Sequence, residues 1–250
     1  YGPLTIVTDP VVASNPEPTF VARPTQAEMV AQIEKDYKEA AAVLPPRFTG
    51  EDYGRISSAA CLTGLMHLYL HEKRWSDVID VGRQITGMGY SLIENYVDNF
   101  TLENKGGNSE IILAIPSRPD ANAWAWIPMA SVSAYVEPSG LPVMSWGGYK
   151  MPWPTYDKFD QNDERLARLW SHFPTVGGEI LDARANNYIG AIPMKYGIDP
   201  AAIGGAHGID AICYRYADVL LMLAEAINEV EEEPTEEAYG YINQVRIRAG

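Results

Sequence analysis

Tyr214-Arg215-Tyr216-Ala217-Asp218-Val219-Leu220-Leu221-Met222-Leu223-Ala224-Glu225-Ala226, followed after a short acidic turn by Ala238-Tyr239-Gly240-Tyr241-Ile242-Asn243-Gln244-Val245-Arg246-Ile247-Arg248-Ala249-Gly250, decides the fold. Leu220, Leu223, Ala224 and Ile227 recur at the i, i+3, i+4, i+7 spacing that puts them on one helical face. Ala238, Ile242 and Val245 do the same in the second half. Glu231-Glu232-Glu233-Pro234-Thr235 stands between them as a solvated turn, so the stretch predicts an antiparallel helix pair: Tyr216 to Glu229, then a helix through Val245. One pair cannot cover its own apolar face and needs a neighbour to stack on.

That neighbour lies upstream. Ser57 opens a helix carrying Leu65, Leu68 and Tyr69. Glu72-Lys73-Arg74 interrupts it, and a further helix follows with Trp75, Val78, Ile79, Gly82 and Ile85 on one side. With Leu65, Tyr69, Trp75, Val78, Gly82 and Ile85 facing inward, the spacing is that of a tetratricopeptide pair, where a small residue lets two helices cross closely. No 34-residue period extends it on either side. Before it, Thr25 and Glu28 form a capping box for a helix over about 25–43, ended by Pro45-Pro46. Residues 1–24 hold Pro3, Pro10, Pro16, Pro18 and Pro24 and are expected to run extended, without helix.

Residues 106–210 differ in texture. Glu110 to Ile115 alone reads as a strand there, bounded by Gly106-Gly107 and Pro116. Ten of the chain's eighteen prolines lie between that strand and Tyr214, which excludes continuous helix, so loops and short elements are expected. The fold class is therefore mainly α: a scaffold of tetratricopeptide-like helix pairs (an α/α superhelix) with a loop-rich, Pro/Trp-rich insert and few short strands. Three regions follow: a helical scaffold over 25–105, a loop-rich ligand face over 106–210 and a helix pair over 211–250.

Composition narrows the function. The 250 residues, 46% apolar and 21% charged, suffice for a sizeable core. A net charge of −14 repels phosphate backbones and anionic head groups, which argues against nucleic-acid binding. No apolar run reaches the roughly 18 residues of a transmembrane helix. Cys61 and Cys213 are expected to be buried core thiols, each within an apolar helical pattern.

Five of the six tryptophans fall in the insert, which makes it the place to look for a ligand. Trp124, Trp126, Tyr135, Trp146, Tyr149 and Trp153 are interleaved with Asn122, Ser131, Ser133 and Lys150. Flat rings beside amides and hydroxyls suit sugars, whose C–H faces stack while their hydroxyls bond at the rim. The alternative is that irregular loops use large side chains to build small satellite cores.

Signals for chemistry are weaker. Asp157, Asp160, Asp163 and Glu164 are close enough to suggest paired-carboxylate catalysis, yet neighbouring Lys158 and Arg165 allow capping and ion pairing instead. His67 and His71 have metal-ligand spacing but no adjacent third ligand. Phosphate-cradling loops, a G-x-S-x-G elbow and a Cys/His cluster are absent from the sequence, so neither catalytic residues, metal nor cofactor are expected.

The wording of the closing helix pair resembles the SusD/RagB family of Bacteroidetes outer-membrane lipoproteins. Four further stretches agree in order: Ser57 to Trp75, Asn108 to Ile115, Tyr156 to Arg165, and Pro193-Met194-Lys195-Tyr196. The resemblance implies a non-enzymatic, lipid-anchored subunit on the outer face of the outer membrane. Such a subunit captures oligosaccharides and delivers them to a SusC-like TonB-dependent transporter in polysaccharide utilisation. It also implies that the chain is a fragment of one SusD-like domain, lacking the lipidated N-terminal segment and the C-terminal tail. The family's binding aromatics vary, so the resemblance places them only by region, between the Glu110 strand and Asp157. Arg215, Asp218, Glu225 and Arg246 read as scaffold charges that must pair at helix interfaces. Rival readings are a peptide-binding RagB-like subunit, a helical glycoside hydrolase, which needs two carboxylates across an aromatic cleft, and a plain tetratricopeptide adaptor, which lacks a Trp-rich insert.

Overall fold

A computed structural model of the chain describes residues 2–15, 22–120, 147–175, 177–203 and 206–250. The scaffold is helical, as the apolar periodicity requires. After a single turn, α1 (Pro10–Ala13), come α2 (Gln26–Val43), α3 (Ser58–His71) and α4 (Trp75–Thr86). The chain closes with α6 (Tyr216–Glu231) and α7 (Glu236–Arg248), with the four-residue α5 (Trp153–Tyr156) between. The Thr25 capping box forms in full, and the Ser57 and Thr235 hydroxyls cap α3 and α7. α1 departs from the extended run expected before residue 24: the Asp9 side chain accepts from Val11 N and Pro10 takes the first helical position, where its missing N–H costs nothing.

α3, α4 and α6 enclose the main core. Leu65, Met66, Tyr69, Val78, Ile85, Val219, Leu220 and Leu223 are buried in it, with Trp75 packed at its margin. The inward set read from spacing is thus the observed one. Gly82 is where α4 meets its neighbours most closely: a Cβ there would lie 2.6 Å from Leu223 Cδ2 and 2.8 Å from Met66 Cε. α2 packs on α3 through Tyr37, whose ring rests against Gly64. No helix among the described residues is long and apolar enough to cross a membrane.

The insert holds more strands than the one read from sequence. β1 (Ile111–Ile115) pairs antiparallel with β7 (Ala211–Arg215), and irregular register separates Ile111↔Arg215 from Leu113↔Tyr214 and Ala114↔Ile212. β6 (Gly190–Pro193) lies between β2 (Met151–Pro152) and β3 (Leu169–Trp170); β4 (His172–Pro174) and β5 (Ile180–Asp182) form a separate hairpin. These pieces cover small cores of their own. One gathers Phe173, Ile192 and Met194 with Trp153, Trp170 and Tyr188; the other gathers Tyr96, Phe100, Tyr196 and Ile209.

β7 also corrects the reading of Cys213. It stands on this strand, not in a helix, and alternation turns it outward while Ile212 and Tyr214 pack inward, so Cys213 is exposed and only Cys61 is a core thiol.

The scaffold charges are redistributed as well. Glu110, fully buried just before β1, accepts from Arg215 Nη1 at 2.7 Å, Arg248 Nη1 at 2.6 Å, Asn99 Nδ2 at 3.0 Å and Ile93 N at 3.2 Å. Two guanidiniums and an amide hold its carboxyl below the usual range although burial opposes ionisation. Asp218 pairs with His67 at 2.8 Å. Arg246 and Glu225 are exposed, and Arg248 is the interface cation in place of Arg246. Two positions along a helix is 200°, so Arg248 faces inward where Arg246 faces solvent.

Candidate functional site

Of the six rings proposed for ligand contact, Trp124, Trp126, Tyr135 and Trp146 lie outside the described residues. The other two are placed differently from each other. Tyr149 is 54% exposed on the strand of chain that leads into β2. Beside it the Lys150 ammonium folds back to donate to the carbonyls of Gly147 and Tyr149, each at 3.0 Å, and burial lowers its pKa. Trp153 is half-buried and committed to packing. Its indole N–H donates to Tyr188 O at 2.7 Å, the Arg184 guanidinium covers its ring at 4.3 Å, and Tyr156 meets it edge-on. Arg184 is in turn fixed by Asp157 at 2.5 Å. The guanidinium covers one face of the indole and the ring packs against the Phe173 core, so Trp153 anchors α5 to the β4–β5 core while Tyr149 is exposed.

The neighbouring carboxylates follow the capping reading. Asp163 Oδ1 accepts from the backbone N–H of Arg165 and is gripped by its guanidinium, which holds the acid below its usual pKa. Asp160 accepts from Asn162 N at 2.9 Å. His67, half exposed, bonds Asp218 and stacks on Tyr214 at 5.5 Å; Asp218 holds its pKa up. Among the described residues no three His, Cys, Asp or Glu side chains gather to hold a metal.

Two depressions meet near Lys105. The first is a groove of about 770 Å³ along residues 93–109, with Asn95, Asp98, Glu103, Asn108 and Glu164 in its walls. The second is a pocket of about 490 Å³ between Leu102, Pro116, Pro119 and Ala201, with Tyr53 and Asp210 in its lining. The segment that carries Trp124 and Trp126 continues directly from that pocket's wall at Pro119-Asp120. Sequence reasoning missed both depressions, because their walls come from residues 53, 93–119, 164 and 199–210, distant in the chain.

Residues 173–250, which run from β4 to the end of α7, match the model of the SusD family. That segment makes up under a third of the chain. Its fold agrees over nearly the whole length: a SusD superfamily protein from Parabacteroides distasonis superposes with a TM-score of 0.76 at 18% identity over 91% of this chain and 51% of that one. The surface glycan-binding protein A of Bacteroides thetaiotaomicron, solved with laminarihexaose, gives 0.72 at 18% identity over 91% and 55%. Its counterpart from Bacteroides fluxus gives 0.76 at 17% over 100% and 56%. The chain thus spans about half the length of these solved structures. No curated protein sequence matches it.

Proposed function

We propose that this chain belongs to the SusD family and is part of a glycan-capturing, non-enzymatic subunit of the bacterial cell surface, one that hands oligosaccharides to a SusC-like TonB-dependent transporter in the outer membrane. The observation that carries the reading is the family match of residues 173–250. Its support is a fold shared with a protein solved with laminarihexaose and with a laminarin-binding SusD-like protein. The Trp-rich segment between Asp120 and Tyr149 supplies the platform, with Trp124, Trp126, Tyr135 and Trp146 as contact rings beside the exposed Tyr149. Lipid anchorage at the outer face belongs to the same reading.

Stacking on an open indole removes weakly held water from two apolar faces, whereas sugar hydroxyls exchange water for protein partners at little net gain. The rings therefore supply most of the affinity. A glycan array, followed by calorimetric titration with laminarihexaose, tests this: Trp124→Ala or Trp146→Ala is expected to weaken binding by ~1–3 kcal/mol. Chromatography of the incubated sugar is expected to show no shorter product. An array silent for glycans but positive for peptides replaces the glycan reading with the RagB-like one, and reproducible turnover ends the non-enzymatic one.

A further inference from the structure

The closing helix pair keeps an apolar face on the side away from the core. α6 packs on α4 and α3, and α7 packs on α6. Opposite those contacts a groove of about 450 Å³ opens between the two helices, walled by Leu221 and Ala224 of α6 and by Ala238, Tyr239 and Ile242 of α7, with Pro234 of the turn at one end. Leu221, Tyr239 and Ile242 are 40%, 47% and 36% exposed. The end of a stack of helix pairs ordinarily presents a polar face, so three large apolar side chains left open there mark a surface made to be covered. The border of the groove is charged on one side. Glu225 lines it, Glu229 follows one turn later, and Glu232 and Glu233 stand in the turn beside Pro234, all exposed. Asp218 is paired with His67 and Glu237 with Arg83, whereas these four have no ion-pair partner among the described residues. The two bases of the helix pair lie elsewhere: Arg248 is buried against Glu110, and Arg246 stands at the opposite end of the groove, one turn after Ile242.

These features select the occupant. An anionic lipid surface or a polyanion is repelled by the four carboxylates. A second copy of the chain brings one exposed base, Arg246, against four acids. The Trp-rich residues 121–146 hold Glu137 and no Lys or Arg, so they lack the matching charge too. We propose that the α6–α7 groove docks an amphipathic helix of a partner protein, its apolar stripe laid between Leu221, Tyr239 and Ile242 and its Lys/Arg border along Glu225, Glu229 and the Glu232-Glu233 turn. The incoming helix repeats on α6 and α7 what α6 does on α3 and α4, where an apolar stripe settles into the groove of a preceding pair. The stripe supplies the affinity, and the carboxylates choose the sign of the partner. This contact goes beyond the glycan reading and stands or falls independently of it.

The test titrates the chain into dye-labelled model peptides of about 18 residues, long enough to lie along α6. Two of them carry leucine along one helical stripe, with lysine at the remaining positions of the first and glutamate at those of the second. A third has the composition of the lysine helix with its leucines scattered, so that no stripe forms. Fluorescence anisotropy is expected to show the lysine helix bound about tenfold more tightly than either of the others. Leu221→Ser combined with Ile242→Ser, which alters side chains already exposed, is expected to keep the thermal midpoint within a few degrees and to weaken the lysine helix about tenfold. Glu225→Lys combined with Glu229→Lys is expected to weaken it about three- to tenfold. If the parent binds all three peptides alike, or if the serine variant binds the lysine helix as the parent does, the peptide sits elsewhere and the proposal is wrong. Should the serine variant unfold, the scattered-leucine peptide on the parent decides between the two outcomes. Sedimentation equilibrium of the chain alone is expected to show a monomer. A dimer that the serine variant dissolves would give the groove to a second copy and overturn the partner helix.

Discussion

Replacing Gly82 by Ala sets two effects of known size against each other. In a helix interior the change favours folding by about 1 kcal/mol, since Ala loses less backbone freedom than Gly. Against this, the added Cβ would stand 2.6 Å from Leu223 Cδ2, 2.7 Å from its Cγ and 2.8 Å from Met66 Cε. Leu223 and Met66 are both 0% exposed, so neither can swing into solvent to make room. Overpacking of this kind costs ~1–3 kcal/mol, leaving Gly82→Ala between neutral and ~2 kcal/mol less stable than the parent. Gly240, in the exposed middle of α7, meets nothing within 4 Å of its Cβ and serves as the control. There the helix effect acts unopposed, and Gly240→Ala is expected to gain about 1 kcal/mol. The two variants should thus differ by ~1–3 kcal/mol, and their midpoints by about 2–4 °C for each kcal/mol. Urea unfolding followed by circular dichroism, with thermal melts beside it, measures the difference. If Gly82→Ala stabilises the chain as much as Gly240→Ala does, α4 and α6 do not cross as closely as described and the tetratricopeptide-like packing argument fails.

Other perturbations address the buried charges and the thiols. Glu110→Gln leaves Arg215 and Arg248 without their shared anion and is expected to cost ~3–5 kcal/mol in urea unfolding; a loss under ~1 kcal/mol would show that the hub is not what joins β1 to the closing helices. Glu34 accepts from Arg74, Lys38 and Tyr69, and Arg74 first, then Lys38, brings its pKa down to about 2 from 4.5. A depressed carboxylate stabilises the fold above its unfolded pKa and loses that contribution as pH falls through its folded one. The parent should therefore lose up to ~1–2 kcal/mol more than Glu34→Gln between pH 4.5 and 2, and parallel acid titrations of the two would refute the assignment. Iodoacetamide is expected to label Cys213 alone in the native chain, slowly because burial raises its thiol, and Cys61 only in denaturant; mass spectrometry of the digested protein reads the sites.

The helices were legible because their signals are local. Thr25 with Glu28 is a cap read within four residues of itself, Ser57 opens its helix, and Leu65, Tyr69, Val78 and Ile85 repeat along single helices. What escaped was set by distant partners. β7 is five residues abutting α6 with no Gly or Pro between them, so Ile212-Cys213-Tyr214 reads as the approach to a helix until β1 pairs with it. The two-residue strands β2 and β3 exist only through β6, where Gly190 lets the Met151 carbonyl approach within 1.9 Å of the place a Cβ would occupy. Glu110 looks like an ordinary polar boundary before an apolar strand; its meaning comes from Arg215 and Arg248. A clue was present in α6, whose N-cap is Arg215 and has no capping hydrogen bond, which marks that side chain for another task. The aromatic crowding was legible as a cluster, whereas Trp153's role depends on Arg184 and Tyr188, which no spacing rule links to it.

The Glu110 hub has a bearing on how such a protein diversifies. The chain leaves the helical scaffold at Glu110 and re-enters it at Arg215, and these residues are joined by a 2.7 Å ion pair, with Tyr216 N donating to the Glu110 carbonyl at 2.7 Å. Everything between is an excursion whose two ends are clamped together. For a flexible excursion, even doubling its length adds only about 0.6 kcal/mol to the entropy of closing it. Loops between the clamped ends can therefore be lengthened, shortened or exchanged without disturbing α3, α4 and α6. The insert behaves as an interchangeable cassette on a fixed chassis, and a transplant cut at residues 110 and 215 would carry it whole onto another scaffold of the same kind.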